Sequence, residues 1–528
     1  MPTVWRSVAV ASSVFNSLTA RFSKSKNEDE DTTSQKPITK SNFEGKAEKY
    51  IQNNEQKQVV SKIDATSSER SIFDWLPDAD LSSKRKQFLE KGEKSSDKAK
   101  KLVISKSSLQ HRSRFLVQSL TDALSPGSQL IRLEEVYKHL LLFPQQKTEM
   151  CKAGLLRTAL RLKLYSYDEN VQAQARIVLA LIGHHDPPKG NGIRILSIDG
   201  GGTRGMISIE VLRQLESKTN KRVYELFDYM CGVSSGAILS LLLGALRYSL
   251  DECETLYRKL SNEIFKQSSI YQSIWGTGRL MWSHAYYDTT QWVDVLKKTF
   301  GERLLVETNA DAGNPKIGIV SAVMNLPHLQ AFVFRNYDFP PRILSHYLGS
   351  CKYPMWESIR ASGAAPGYFE EYCLDEYLHQ DGGIMINNTA ALGIHEAKLL
   401  WPSDSIDCVV SLGSGRYIPT GEPAGTSTSL KTKVMKIIDS ATDTEAVHIA
   451  LNDLLSPDTY FRINPYLTEF LSLDENRAEK LDQMKTDAQM YLRRNEYKFL
   501  KLVQVLNQSR GPVKKSKDWL SIQKQLYL

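Results

Sequence analysis

Between residues 107 and 188 the apolar side chains recur at the three- and four-residue spacing of amphipathic helices. Gly183 stands where the last of these helices should end. We therefore predict a helical region over 107–188, with an armadillo-like stack as one candidate arrangement, although no clean internal repeat is present. The first stripe comprises Phe115, Leu116, Leu120 and Leu124.

After Pro188 the pattern changes to short, continuous apolar runs separated by helical stretches. Such runs are typical of strands that are buried on both faces of a largely parallel sheet. We predict an α/β domain over 193–395, and a C-terminal extension over 396–528 with one further strand followed mainly by helices, among them a long polar helix near Asn476–Gln508. The predicted strands are IRILSI (193–198), LFDYMC (226–231), KIGIV (316–320), AFVFR (331–335) and DCVVSL (407–412).

The N-terminal hundred residues differ from the rest of the chain. Residues 1–27 contain basic residues, serines and threonines but no acid, and their apolar residues fall near one helical face, which is typical of a mitochondrial presequence. An untargeted flexible start is the alternative. Residues 28–106 are charged and poor in apolar side chains, so we expect a disordered linker. The last three residues, Leu526-Tyr527-Leu528, are not the SKL peroxisomal signal.

Charge and cysteines narrow the classes of function. The 528 residues carry a formal net charge of +8, but basic and acidic residues are interspersed, which disfavours nucleic-acid binding. The six cysteines are scattered, with neither a CxxC pair nor a zinc-ligand spacing, and no calcium-binding loop pattern is present. We therefore expect no metal and no cofactor.

The segment GVSSG (232–236) follows a predicted strand and precedes the apolar stretch AILSLLLGAL. This is the pattern of a nucleophile elbow, in which two glycines, here Gly232 and Gly236, allow a sharp strand-to-helix turn that exposes the central serine. Ser234 is the candidate nucleophile. The amide of Ser235, at the start of the following helix, is a candidate donor to an oxyanion. A strand, turn and buried helix explain the apolar stretch 230–246 better than a membrane span does.

The segment DGGGTRG (199–205) also follows a predicted strand. Consecutive glycines can direct main-chain N–H groups at an anion, so Gly200, Gly201 and Gly202 are candidate oxyanion donors. The same letters satisfy GxGxxG, and a dinucleotide site is the rival reading, although Asp199 would then place a carboxylate beside the pyrophosphate. Arg204 could orient the loop, meet a lipid phosphate or form a structural salt bridge.

The third glycine turn, DGG at 381–383, follows LHQ in what reads as a loop. If Asp381 meets Ser234, partial burial would raise its pKa and make it a better general base. Gly382 and Gly383 would let this turn approach a neighbouring loop. His395 and His448 are the histidines that follow Asp381, and both stand in helical patterns. A Ser–Asp pair therefore fits the sequence better than a Ser–His–Asp triad does.

Together DGGGTRG, GVSSG, RASGAAPGYF and HQDGG resemble the patatin family of lipid acyl hydrolases. Further segments, among them WSHAYYD, AFVFRNY, SHYLG, SATDTEAVHI and PDTYFRINP, resemble a calcium-independent branch of that family, from roughly residue 171 to the C-terminus. The resemblance implies a patatin-like three-layer fold, a catalytic dyad of Ser234 and Asp381, and an oxyanion hole in the loop Gly200–Gly202. Ser235 replaces the usual threonine, and Thr389 replaces the proline expected after Asn387-Asn388.

The resemblance also implies hydrolysis of phospholipid fatty-acyl esters without calcium, peripheral association with a phospholipid bilayer, and a mitochondrial or peroxisomal location. Because SKL is missing, we expect a mitochondrial, membrane-associated protein, with peroxisome or endoplasmic reticulum as alternatives. The aromatic-rich segment Tyr271–Tyr287 is a candidate interfacial surface, and core packing is the alternative. A nucleotide-binding protein and an inactive helical scaffold are the other functional readings. Oligomeric state does not follow from the sequence.

Overall fold

The computed structural model describes residues 105–265, 287–417 and 444–527. The predicted targeting segment, the predicted linker up to residue 104 and most of the aromatic segment Tyr271–Tyr287 lie outside these ranges. The described residues belong to one compact unit, residues 102–528. The predicted domain boundaries stay predictions.

The first part of the described chain is helical, as its apolar spacing predicts. Side chains cap three of the helices at their N-termini: Ser105 and Ser125 accept from the amides of Ser108 and Ser128, and Asp168 accepts from Asn170. The helices are α1 (Lys106–Thr121), α2 (Pro126–Leu142), α3 (Lys147–Lys152), α4 (Leu155–Tyr165) and α5 (Glu169–Leu181).

The predicted first stripe is only half correct. Leu116 and Leu120 are buried in the core of this helical region. Phe115 and Leu124 are exposed, because Phe115 lies on the outer face of α1 and Leu124 follows the end of that helix.

Beyond residue 192 the described chain forms a nine-stranded sheet with the main order β5-β4-β3-β2-β1-β8-β9, in which β7 pairs with β3 and with β6. The ladders joining β3, β2, β1, β8 and β9 are parallel, which confirms the predicted mostly parallel sheet. The strands are β1 (Ile193–Ile198), β2 (Tyr229–Val233), β3 (Lys316–Val323), β4 (Gln330–Arg335), β5 (Leu348–Ser350), β6 (Tyr372–Leu374), β7 (Tyr377–Asp381), β8 (Ile406–Leu412) and β9 (Tyr460–Ile463).

Helices cover both faces of the sheet, which explains the continuous apolar runs. Along β1, Leu196 and Ile198 belong to the core on one face, whereas Ile193 and Ile195 pack on the other. In the described residues from 205 onward the helices are α6 (Gly205–Thr219), α7 (Val223–Leu226), α8 (Ser235–Gly244), α9 (Leu250–Phe265), α10 (Thr289–Phe300), α11 (Met355–Ser362), α12 (Ala390–Leu400), α13 (Thr444–Leu454), α14 (Ala478–Arg494), α15 (Glu496–Asn507) and α16 (Pro512–Tyr527).

Several predicted elements differ from the observed ones. LFDYMC is a strand only from Tyr229, because the chain before it forms α7. Asp381, which we placed in a loop after LHQ, is the last residue of strand β7, and this strand was not predicted. The segment 396–528 contributes two strands, β8 and β9, where we predicted one. The long polar helix is divided at Asn495 into α14 and α15.

The register of the sheet determines where the site forms. β1 and β2 are parallel with Ile198 opposite Gly232, so the loops that follow them leave the same edge. In open parallel sheets, this carboxyl edge is where ligands bind. No helix of the described residues is long and apolar enough to cross a membrane.

Candidate active site

Ser234 lies in a sharp turn between β2 and α8, as the GVSSG pattern predicts. Its φ of 54° is in the left-handed region, which is uncommon for a residue with a side chain. Neither glycine of the motif has room for a side chain. A Cβ on Gly232 would lie 2.2 Å from the carbonyl oxygen of Gly236, and one on Gly236 would lie 2.2 Å from that of Ile198. The surrounding backbone therefore holds the serine in a strained conformation.

Strand β3 brings Asp381 to Ser234. β2 pairs with β3 up to Val233 opposite Val320, and the antiparallel strand β7 pairs with β3 from the next position, with Asp381 opposite Ser321. The ends of β2 and β7 therefore meet along one edge of β3. The Ser234 side chain thereby lies close enough to the Asp381 carboxyl to influence its pKa.

The Asp381 carboxyl is buried, and its surroundings suit a general base. Burial raises its pKa to about 6, while hydrogen bonds from the Gly383 amide and the Ser234 side chain lower it in part. The Gly383 N–H donates to Oδ1 of Asp381 at 2.7 Å. Gly382 lets the turn approach β3 closely, since a Cβ there would lie 2.4 Å from the carbonyl oxygen of Val320.

The glycine loop lies against the nucleophile. A Cβ on Gly200 would lie 3.1 Å from Cβ of Ser234. Two of the predicted oxyanion donors are already used in this structure: the Gly200 N–H donates to Oδ1 of Asn387 at 2.9 Å, and the Gly201 N–H donates to Oγ of Ser235 at 3.0 Å. Their role as oxyanion donors stays a prediction.

The main-chain N–H groups of Gly202 and Ser235, which lie beside Ser234 in the chain or in the glycine loop, differ from those of Gly200 and Gly201. Within the described part of the chain, no acceptor is recorded for the N–H of Gly202 or of Ser235. Ser235 is the first residue of α8, where main-chain N–H groups have no partner inside the helix and the helix dipole favours negative charge. Of the predicted donors, these two best fit an oxyanion.

Three residues that the sequence did not single out support the site. The Ser234 N–H donates to Oγ of Ser362 at 2.8 Å, and the Tyr257 hydroxyl donates to the carbonyl oxygen of Ser235 at 2.5 Å. Asn387, described above, joins the glycine loop to the turn after Asp381. Two of them lie in segments that carry the family resemblance. RASGAAPGYF contains Ser362, and Asn387 lies two residues before Thr389, which replaces the expected proline.

The carboxylate before the glycine loop has a structural partner. Asp199 is buried and forms a 2.7 Å ion pair with Arg462 of β9. Nε of Arg204 donates to the carbonyl oxygen of Gly201 at 3.4 Å, which orients the loop. The amides of Gly200, Gly201 and Thr203 are engaged, the last by the carbonyl oxygen of Leu473 at 2.8 Å. The loop therefore does not present the open turn that a pyrophosphate needs.

The two histidines considered for a triad lie elsewhere. The ring of His395 contacts Ser345 and packs edge-on against Tyr347. His448 packs against Tyr460. Of the aromatic segment, Tyr287 is described and is buried, and its hydroxyl donates to Asp474 at 2.5 Å. Tyr287 therefore packs in the core, which was the alternative prediction for that segment.

Known proteins similar to this chain include phospholipases, and the matching family model covers the candidate active site. The model of the family described as patatin-like phospholipase matches residues 196–394, which include all three glycine turns. The chain is 49% identical over 426 residues to proteins named calcium-independent phospholipase A2-gamma from Oryctolagus cuniculus and from Homo sapiens. These alignments cover 80% of this chain and 54% of each relative, so the chain spans about half the length of the curated relatives it matches.

Among solved structures, human GIVD cytosolic phospholipase A2 matches with 15% identity and a TM-score of 0.21, over 42% of this chain and 32% of that chain. At that TM-score the resemblance supports no inference about this chain. The family model and the two relatives confirm the family that the glycine motifs predicted.

Proposed function

We propose that this chain, whose residues 196–394 match the patatin-like phospholipase family, is a calcium-independent phospholipase that hydrolyses fatty-acyl esters of membrane glycerophospholipids. One observation supports this most strongly: Ser234, held at a strained turn, lies beside the buried carboxyl of Asp381, whose pKa its side chain influences. A serine activated by an adjacent base is the arrangement that acyl transfer requires.

In the proposed reaction, Asp381 accepts the hydroxyl proton of Ser234 while Oγ attacks the acyl carbonyl carbon. The amides of Gly202 and Ser235 stabilise the tetrahedral oxyanion. Asp381 then returns the proton to the departing lipid alcohol, which leaves an ester on Ser234. Water activated by Asp381 attacks this ester and releases the fatty acid.

The reaction can be tested on the full chain with defined phospholipids that carry different acyl groups at the two positions. Mass spectrometry of the products, with and without a calcium chelator, should show released fatty acid in both conditions. A fluorophosphonate probe should label wild-type protein and should not label Ser234→Ala. Failure of the wild type to react with the probe or to release fatty acid would favour the inactive-scaffold reading.

We further propose that the protein binds bilayers peripherally and is mitochondrial. A diacyl phospholipid hardly exists free in water, so the substrate must be taken from a membrane surface, and the composition of residues 1–27 supports mitochondrial targeting. Fusing residues 1–27 to a fluorescent protein should direct it to mitochondria. Replacing the four basic residues Arg6, Arg21, Lys24 and Lys26 by glutamine should abolish that targeting.

A further inference from the structure

A cavity lies away from the dyad, between helices α4 and α5 and the amino end of β3. Its volume is about 200 Å³, and its wall is rich in cationic side chains. These come from Lys163 of α4, Arg176 of α5, Lys189 before β1, and Lys316, the first residue of β3. Nothing in the proposed reaction uses them.

Three of these cations contact neutral oxygens and no carboxylate. Lys316 Nζ donates to Oδ1 of Asn309 at 2.6 Å, and Arg176 Nε donates to the carbonyl oxygen of Ala310 at 2.9 Å. Lys189 Nζ donates to two carbonyl oxygens at the end of α7, at 2.6 and 2.7 Å. Within the described residues, none of the three forms an ion pair.

Each of the three carboxylates in the wall has hydrogen-bond or ion-pair partners of its own. Asp186 pairs with Lys163. Both carboxylate oxygens of Asp228 accept main-chain N–H groups, at 2.7 and 2.8 Å. Asp311 pairs with Arg303, which is not part of the wall, at 3.0 Å. Four cations and three carboxylates line the wall, so its formal charge is positive by one. The carboxylates act on Arg176, Lys189 and Lys316 through space, without a direct ion pair.

Burial makes this charge costly. It lowers the pKa of both Lys189 and Lys316 to about 8, since a low-dielectric environment disfavours the ammonium form. At neutral pH both lysines are still mostly charged. Lys316 has one recorded acceptor for three N–H donors, and Arg176 uses two of its three guanidinium nitrogens, Nε and Nη2, on one carbonyl oxygen. The cavity thus offers donors that lack acceptors.

We propose that this cavity binds a phosphate group, carried by a small soluble phosphate compound or by a lipid headgroup. Phosphate oxygens accept strongly from ammonium and guanidinium donors, and such charge-assisted hydrogen bonds are the strong ones. A volume of about 200 Å³ holds several water molecules, so a phosphate with a small substituent fits.

The cavity and the dyad lie on the same strand but apart. Lys316 begins β3, and Ser321, which pairs with Asp381, lies five residues later, about 16 Å along the strand at about 3.3 Å per residue. Phosphate bound at Lys316 would therefore not contact Ser234. Ser234→Ala should bind phosphate as the wild type does, which separates this inference from the proposed hydrolysis.

The test is calorimetric titration of the full chain with inorganic phosphate against sodium chloride at matched ionic strength, together with thermal unfolding. Phosphate should bind the wild type and raise its unfolding midpoint. Lys316→Met should bind about tenfold more weakly, because it loses a charge-assisted hydrogen bond. Lys398→Met, which removes an exposed lysine outside the cavity, is the matched control and should bind normally.

Two further ligands test the source of the phosphate group. Glycerol 3-phosphate and vesicles containing phosphatidic acid distinguish the sources: protection by the soluble compound indicates a free phosphate ligand, and protection by vesicles alone indicates a headgroup. Should Lys316→Met not fold, Arg176→Gln replaces it. Equal binding by the cavity and control variants, or no stabilisation by either source beyond that of chloride, overturns the proposal.

Discussion

The main-chain N–H of Ser234 donates a 2.8 Å hydrogen bond to Oγ of Ser362, whose hydroxyl donates in turn to the carbonyl oxygen of Val320 at 2.6 Å. The strained turn that carries the candidate nucleophile is thereby tied, through one buried hydroxyl, to strand β3. Because Val320 is adjacent to Ser321, which pairs with Asp381, both members of the dyad are positioned from the same stretch of strand.

Removing the Ser362 hydroxyl should therefore impair catalysis. In Ser362→Ala the Ser234 N–H loses its buried acceptor, a change that typically costs about 1–3 kcal/mol, and the turn can relax. We expect kcat/KM for a short-chain ester and the rate of fluorophosphonate labelling to fall about tenfold.

Ser358, on the same helix, provides the control for that experiment. Its buried hydroxyl donates to the carbonyl oxygen of Met355 and does not contact the turn. Ser358→Ala should keep wild-type labelling, and Ser362→Thr, which retains a hydroxyl, should recover part of it. Equal loss in both alanine variants would mean that Ser362 has only a general structural role.

Asp381→Asn should abolish turnover and also stabilise the protein. The loss of a general base typically lowers the rate by about 10² to 10⁴. Because the folded pKa is raised from 3.8 to about 6, the folded state loses stability as pH rises between these values, and above pH 6 the full cost applies. That cost is on the order of 3 kcal/mol, and a neutral side chain removes it.

Thermal unfolding at pH 8 and ester hydrolysis measure these two effects on the same protein. His395→Ala is the control and should keep most of the activity, since His395 lies beside Tyr347 and not at the dyad. An active Asp381→Asn enzyme, or an inactive His395→Ala enzyme, would restore the triad hypothesis.

The pH profile of kcat/KM should have an acid limb near pH 6. Asp381 can accept a proton only when ionised, so activity should rise through its pKa and then level off. A histidine would titrate in the same range, so the limb alone does not identify the base.

Asn387→Asp identifies the group. Oδ1 of Asn387 lies near the turn that carries Asp381, and an added negative charge there raises the pKa of a neighbouring carboxyl. We expect the limb to move to higher pH in Asn387→Asp and to stay in place in His395→Ala. A limb that moves only in the histidine variant would contradict the assignment.

Arg462→Met should destabilise the fold strongly, because it leaves the buried carboxylate of Asp199 unpaired. Breaking a buried ion pair from one side typically costs about 3–5 kcal/mol. Denaturant unfolding should show this loss, and the double variant Asp199→Asn/Arg462→Met should recover part of it. Arg493→Met, which removes an exposed arginine of the same C-terminal part, should have little effect.

The sequence was sufficient to predict the strands whose buried residues are mostly apolar. β1, β3 and β8 are continuous apolar runs, and the turns that follow β1 and β2 carry glycines that backbone contacts require. The prediction therefore included the parallel strands β1, β2, β3 and β8, and the two candidate residues, Ser234 and Asp381, that the fold brings together beside β3. Their catalytic roles stay predictions.

Two of the strands that the sequence did not reveal, β7 and β9, contain buried polar residues. β7 was not predicted, because its buried residues His379 and Asp381 are polar and find their hydrogen-bond partners, Ser321 in one case and Gly383 in the other, only in the fold. β9 contains Arg462, whose charge is acceptable only opposite Asp199, 263 residues earlier in the chain. Such partners come together only in the fold.

Strands β2 and β7 pair with consecutive stretches of the same edge of β3. Catalysis by Ser234 and Asp381 therefore depends on the correct register of both strands on β3. A slip of β7 by one residue would turn the Asp381 side chain to the opposite face of the sheet. A slip by two would keep its face but carry it about 7 Å away from Ser234. A misaligned chain could thus keep its apolar core and still be inert, so turnover would report correct folding more sensitively than a stability assay.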